Sequence, residues 1–327
     1  MINFFKKLSP FNILWLAVIM ILLRAGYLLN TPAKTGSLFM GPFLSLWLPA
    51  GYNAVSPSFN VFLAALMVLA QALLLNHLVN HFNLLGKPSF LTALMYITLS
   101  GLFTPFLVLS PPLICNFFLI WMLFKLISFY KSKDAKSTAF DLGMIVALGT
   151  LVYLPFVFLF LAVWIGLLIF KSFDWREWIA GIIGFLTIFF FLAVYYYLNN
   201  NLAQFADIWL PLASKFPQTI NINYYNYLVL IPVALIQVLC FIQLQQNFYK
   251  SYIQVRKTLR LLLIIFLIAL LSFCVKAAFQ LSHFLLCAVP ASVFFAYYFL
   301  HAKRKWFYEV LFGILLIMIV YFQFNTF

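Results

Sequence analysis

Apolar residues fill this chain in runs of about twenty, the length at which an α-helix crosses the hydrocarbon of a bilayer. Short clusters of lysine, arginine, proline and asparagine close the runs. The pattern predicts helices at about 11–30, 57–80, 89–108, 111–130, 138–153, 155–171, 179–198, 225–246, 258–278, 280–299 and 308–325. The stretch 138–171 is too long for one span at ordinary tilt. A tight turn at Tyr153-Leu154-Pro155 suits it better than a single kinked helix, although the residues alone leave both open. The fold expected is all-α: a polytopic transmembrane bundle of about 11 spans, with residues 1–327 forming one integral-membrane domain.

Composition agrees with the pattern. The chain is 66% hydrophobic and 8% charged, with a mean hydropathy of +1.07. That leaves too little polar surface for a soluble domain between the runs. A net charge of +14 would suit nucleic acid in a soluble protein. Here it has another cause, because basic residues gather in the cytoplasmic loops of membrane proteins. With the N-terminus in the cytoplasm and strict alternation, the internal loops hold 16 of the 20 lysines and arginines. Only Arg24, Lys34, Lys215 and Lys276 fall toward the outside, and Phe327 ends in the periplasm. The expected location is a bacterial inner membrane, crossed many times. The first run follows Lys6 and Lys7 and lacks a small-residue cleavage site, so it reads as an uncleaved anchor. Cys115, Cys240, Cys274 and Cys287 lie within apolar runs without paired spacing, which makes them buried hydrophobes rather than disulfide partners or metal ligands.

Two external segments, about 31–56 and 199–224, are too apolar and aromatic to float in water. Short interfacial helices are expected there, flanked by the tyrosines at 195–197 and 224–225 as an aromatic belt. Asp141 stands near the start of a helix, where a carboxylate complements the macrodipole. Phe173-Asp174-Trp175-Arg176-Glu177-Trp178 reads as a cytoplasmic turn anchored by tryptophans. Gln71, Asn76, His77, Asn80 and Asn116 interrupt apolar helices, as polar side chains that bond between helices do.

Candidate chemistry is external and basic. No phosphate loop, metal-binding helix or nucleophile elbow occurs, and no metal or cofactor is expected. Arg24 lies inside the first run, about a turn and a half from its outer end. Lys276 and His283 stand at the outer ends of later helices, and Lys215 lies in the second external segment. If they converge, Arg24, Lys276, His283 and Lys215 form a cationic pocket for a phosphate headgroup. Independent snorkelling to lipid phosphates is the plainer account, and it suits Lys276 better than the deeper Arg24. Catalytic residues are unknown; Asp207, the one external acid, and His283 are the candidates for a base.

The layout Ser110-Pro111-Pro112, Cys115-Asn116, Asp141-Leu142-Gly143-Met144 and Tyr153-Leu154-Pro155 resembles the membrane half of GT-C glycosyltransferases. So does His283-Phe284-Leu285-Leu286-Cys287-Ala288-Val289-Pro290 near the other end. More narrowly, it resembles an uncharacterised family of multi-spanning inner-membrane proteins from Bacteroidota. The resemblance implies a GT-C-like layout and recognition of a polyprenyl-phosphate-linked glycan or phospholipid at the outer leaflet. It also implies an acidic residue in the first external segment, yet 31–56 holds no Asp or Glu. The expectation is therefore a degenerate or partner-dependent glycosyltransferase-like protein, with its status as an enzyme open. The alternative is a non-enzymatic scaffold subunit of a cell-envelope complex with a membrane protein partner. A transporter fits less well, because no inverted repeat is visible.

Overall fold

The structure is a computed structural model. It describes residues 1–29, 56–130, 134–207, 209, 224–247, 252–275 and 280–324. Eleven helices of nine or more residues occur among them: α1 (Phe11–Leu22), α2 (Pro57–His81), α3 (Leu91–Leu99), α4 (Pro111–Phe129), α5 (Ala135–Val152), α6 (Leu159–Phe170), α7 (Trp175–Leu198), α8 (Leu230–Asn247), α9 (Ile253–Leu271), α10 (Leu285–His301) and α11 (Lys305–Phe324). Each falls within or overlaps one of the predicted runs. Short helices Ile2–Phe5, Ala25–Leu29 and Leu202–Asp207 accompany them.

Seven of the helices are long and apolar enough to cross a membrane: α2, α4, α5, α7, α8, α10 and α11. Local chemistry explains why the other four fall short. The first run stops at Leu23 and resumes at Ala25, which leaves α1 at 12 residues. Nine-residue α3 ends at Ser100, and a 3-10 turn follows at Thr104–Phe106, where Pro105 cannot donate to a preceding carbonyl. The stretch 138–171 divides at Tyr153, whose backbone is extended. Leu154–Phe158 forms a 3-10 turn carrying Pro155, and α6 follows. Helix α9 opens with Arg256, Lys257 and Arg260.

Helix starts follow ordinary capping rules. Ser56 Oγ accepts from the Phe59 amide at 3.4 Å, with Pro57 at the first helical position. Asp174 Oδ1 accepts from the Arg176 amide at 3.0 Å, so the acid of the tryptophan-rich turn is an N-cap. In the same turn Trp178 stacks on Trp164 of α6, with ring centroids 5.1 Å apart. Asp141 lies in the second turn of α5 and pairs with Lys125 of α4 at 2.8 Å, a partner the macrodipole argument does not supply.

Helix α10 is the centre of the bundle. Every residue from Leu285 to Phe299 is buried, and α3, α4, α8 and α9 pack around it. A helix that is apolar on all sides has no preferred lipid face and can be enclosed completely. Ala288, Ala291, Ser292 and Ala296 keep it slender enough for that. At the other extreme, α7 leaves Ile179, Ile183, Leu186, Phe190 and Phe191 exposed, as a helix bathed in lipid does.

One face of α7 is nevertheless held tightly against α5. A Cβ built on Gly143 would lie 2.0 Å from the Gly181 carbonyl oxygen, and one on Gly184 would lie 2.1 Å from that of Phe140. Only glycine permits backbones this close, a common device between membrane helices. Gly149 makes room differently, with the Phe156 ring 2.4 Å from where its Cβ would stand. The turn at Pro155 therefore folds back onto α5.

Basic side chains gather at one end of the bundle. Lys6 lies over the Tyr308 ring at 4.4 Å, Lys171 over Phe129 at 4.8 Å and Lys257 over Tyr130 at 5.3 Å. Lys257 Nζ also donates to the Phe170 carbonyl at 3.2 Å. Arg24 and His283 lie at the opposite end. The described cysteines Cys115, Cys240 and Cys287 are buried thiols.

Candidate functional site

Arg24 occupies the break between α1 and Ala25–Leu29. Its backbone carbonyl restarts the helix by accepting from the Leu28 amide at 2.9 Å. Gln323 of α11 donates its side-chain amide to the neighbouring Leu23 carbonyl. The break thus turns Arg24 inward, and its side chain is only 2% exposed. Nη1 donates to the Leu107 carbonyl at 2.7 Å and reaches the Val61 carbonyl at 3.5 Å. The Leu107 segment is itself tied down, because Asn60 Oδ1 accepts from the Leu109 amide at 2.8 Å.

The second guanidinium nitrogen, Nη2, is buried and has no hydrogen-bond partner among the described residues. Nor does Arg24 form an ion pair there; the two described ion pairs are Lys125 with Asp141 and the Met1 amine with Glu309. An uncompensated buried cation costs several kcal/mol, roughly, even after relaxation. Two carbonyl dipoles on one edge offset part of that cost, and the other edge still presents donors of fixed geometry.

His283 stands at the same end, in the 3-10 turn Leu281–Phe284 that leads into α10. This turn touches Thr104–Phe106, immediately before Leu107. His283 Nε2 lies 2.9 Å from the Ala269 carbonyl oxygen and 3.2 Å from Ser272 Oγ. A carbonyl only accepts, so Nε2 carries a proton. Nδ1 is then the acceptor for the Tyr153 hydroxyl at 2.8 Å. Both ring nitrogens are engaged, and His283 would reach a phosphate only by surrendering one of these bonds. The imidazole joins three elements: the Pro155 turn, the end of α9 and the start of α10.

Of the other expected site residues, Lys215 and Lys276 lie outside the described residues, as do 31–55 and 210–223. Asp207 closes the helix Leu202–Asp207, and its side chain falls outside the described part. Arg24 and His283 are thus the two candidates whose surroundings can be read. They share one end of the bundle but bond to different partners.

Deeper in the bundle lies a polar ladder. Tyr96 donates to Gln71 Oε1 at 2.7 Å, and Gln71 Nε2 donates to the Leu113 carbonyl at 2.6 Å. Asn116 Nδ2 donates to the Tyr96 oxygen at 3.0 Å and the Leu285 carbonyl at 3.1 Å. Asn80 exchanges two bonds of 3.1 Å with the Ser89 backbone. Interhelical bonding therefore accounts for Gln71 and Asn116, as their place on apolar helices predicts, whereas Asn80 bonds the backbone of the link between α2 and α3. Tyr96 escapes sequence reasoning, since one tyrosine among 17 carries no signal of its own.

Residues 28–327 match DUF6427, a family of unknown function. The chain belongs to that family. Arg24 lies just before the matched region, whereas His283, Tyr153 and the polar ladder lie within it. No curated protein and no solved structure matches the chain.

Proposed function

We propose that this DUF6427 protein binds the phosphate of a lipid headgroup, on a polyprenyl phosphate or a phospholipid, at the Arg24 end of the bundle. The single observation behind this reading is the buried Arg24 guanidinium. One of its amino groups is held by protein carbonyls, the other has no acceptor among the described residues, and no carboxylate there neutralises it. A phosphate oxygen satisfies both needs, supplying charge and acceptor in the planar geometry that arginine prefers. A cation buried within an apolar helical bundle points to a functional site. Lys276 and Lys215 would add charge around the headgroup, and His283 would brace the turn beside it.

On this reading the basic end is cytoplasmic, Arg24 faces the outer leaflet of an inner membrane and the C-terminus is periplasmic, an orientation that the excess of basic residues at the opposite end supports. The reading keeps a GT-C-like relationship as its frame, with the sugar chemistry either lost or dependent on a partner. Asp207 and His283 remain the bases that such chemistry would use.

The test is native mass spectrometry of gently solubilised protein, comparing wild type with Arg24→Lys and Arg24→Gln. Wild type is expected to retain a phosphate-bearing lipid. Arg24→Lys keeps part of it, because an ammonium cannot make two parallel contacts, and Arg24→Gln loses it. Folded Arg24→Gln protein carrying as much lipid as wild type would overturn the reading.

A further inference from the structure

A second basic feature lies at the other end of the molecule. Helix α10 ends at His301, and Ala302 turns the chain outward, its amide donating to the Tyr298 carbonyl at 2.9 Å. Lys303 and Arg304 link it to α11, which begins at Lys305. Between this link and α8 opens a cavity of about 570 Å³. His301, Lys303 and Arg304 line one part of it, and Leu239, Ile242 and Phe307 line another. From these features we infer that the cavity is a binding site for an anionic phospholipid of the leaflet on that side, with the phosphate on the basic wall and the acyl chains along α8.

Charge is the first argument. Lys303 and Arg304 are exposed and form no ion pair among the described residues. The nearby acid, Glu309, is engaged by the Met1 amine at 2.8 Å. His301 Nδ1 lies 3.0 Å from the Tyr297 carbonyl oxygen, which fixes a proton on Nδ1. Positive residues at a helix C-terminus also complement the macrodipole. That effect is confined to the last turn and does not require a concave site with an apolar wall.

Depth is the second argument. Trp306, next to the basic link, is 79% exposed. Such a tryptophan marks the headgroup level of a bilayer. Leu239 and Ile242 lie below that level, roughly 7–12 Å from the end of α8 at 1.5 Å per residue. Ile242 and Phe307 are 49% and 43% exposed, so the apolar wall is open to a chain entering from the lipid side. The vertical order, cations above and apolar surface below, is that of a phospholipid. A soluble anion would leave the lower wall without a use.

The experiment uses the full chain, purified in detergent and titrated with phosphatidylglycerol or phosphatidylcholine under native mass spectrometry. Wild type is expected to prefer phosphatidylglycerol. The double variant Lys303→Gln/Arg304→Gln is expected to bind it about thirtyfold more weakly, at roughly 1 kcal/mol per basic residue. Both positions are exposed, so the melting temperature should not change, and Arg24→Gln should keep this site intact. Equal binding of the two lipids by wild type, or unchanged phosphatidylglycerol binding by the double variant, overturns the inference. Full displacement of the lipid by millimolar inorganic phosphate overturns the lipid assignment. If Arg24→Gln alone abolishes the preference, the anionic lipid belongs to the Arg24 end, and only the present inference fails.

Discussion

The Tyr153 hydroxyl donates to His283 Nδ1 at 2.8 Å across 130 residues of chain. One bond thereby fastens the Pro155 turn to the entry of α10. Tyr153→Phe removes that bond and leaves the rest of the packing in place. Bonds of this kind in membrane proteins contribute about 0.6 kcal/mol on average and up to about 1.7. The expected loss is about 1 kcal/mol, read from reversible unfolding in detergent micelles. His283→Ala removes the contacts to Ala269 and Ser272 as well and should cost more. Equal stability of Tyr153→Phe and wild type would show that the bond contributes nothing.

Contact between α5 and α7 depends on glycine at two positions. Gly143→Ala and Gly184→Ala would each drive a methyl group to within about 2 Å of a carbonyl oxygen on the facing helix, and overpacking of this sort costs about 1–3 kcal/mol. Gly313 of α11 is the control, since a Cβ there meets nothing within 4 Å. Gly313→Ala should be neutral or gain up to about 1 kcal/mol in helix propensity. Thermal melts of the three variants separate close approach from propensity, and uniform behaviour among them would contradict the packing account.

Lys125 and Asp141 form an ion pair with side chains 34% and 35% exposed. At that exposure water and salt screen the charges, and such pairs contribute about 0–1 kcal/mol. Asp141→Asn should therefore lower stability by less than about 1 kcal/mol, and raising the ionic strength should shrink the difference. A large, salt-independent loss would mean that Asp141 has another role.

Topology can be read by thiol labelling in a variant stripped of native cysteines. Cysteine at Asn201, beside the Arg24 end, should react with an impermeant reagent in intact cells. Cysteine at Lys303 or Lys257 should react only after lysis. The reverse pattern would invert the molecule and place Arg24 at the cytoplasmic leaflet.

Helix positions are legible in this chain because hydrocarbon demands a minimum apolar length, and proline and glycine mark the stops. The number of crossings is less so. The nine residues of α3 and the divided first run are as apolar as the seven long helices, and what shortens them is a local turn rather than a change in composition. Arg24 and His283 stand out by rarity alone. Their partners do not, because the acceptors for Arg24 are the main-chain carbonyls of Leu107 and Val61, and a carbonyl has no side-chain signature. Direction is equally hidden: with apolar residues on all sides of a helix, nothing in the pattern tells an inward arginine from one reaching toward lipid.

Burial of α10 at the centre has a consequence for biogenesis. The Leu285 carbonyl that receives Asn116 is made 169 residues after it. At about 5–20 residues per second, that interval is roughly ten to thirty seconds. Until then α3, α4, α8 and α9 lack the helix they pack around, and the amide of Asn116 is without that acceptor. The bundle gains its central helix almost last. Chains arrested at Gln280 should therefore be degraded far faster than finished ones in a pulse-chase measurement. Equal lifetimes would mean that the earlier helices close up without their axle.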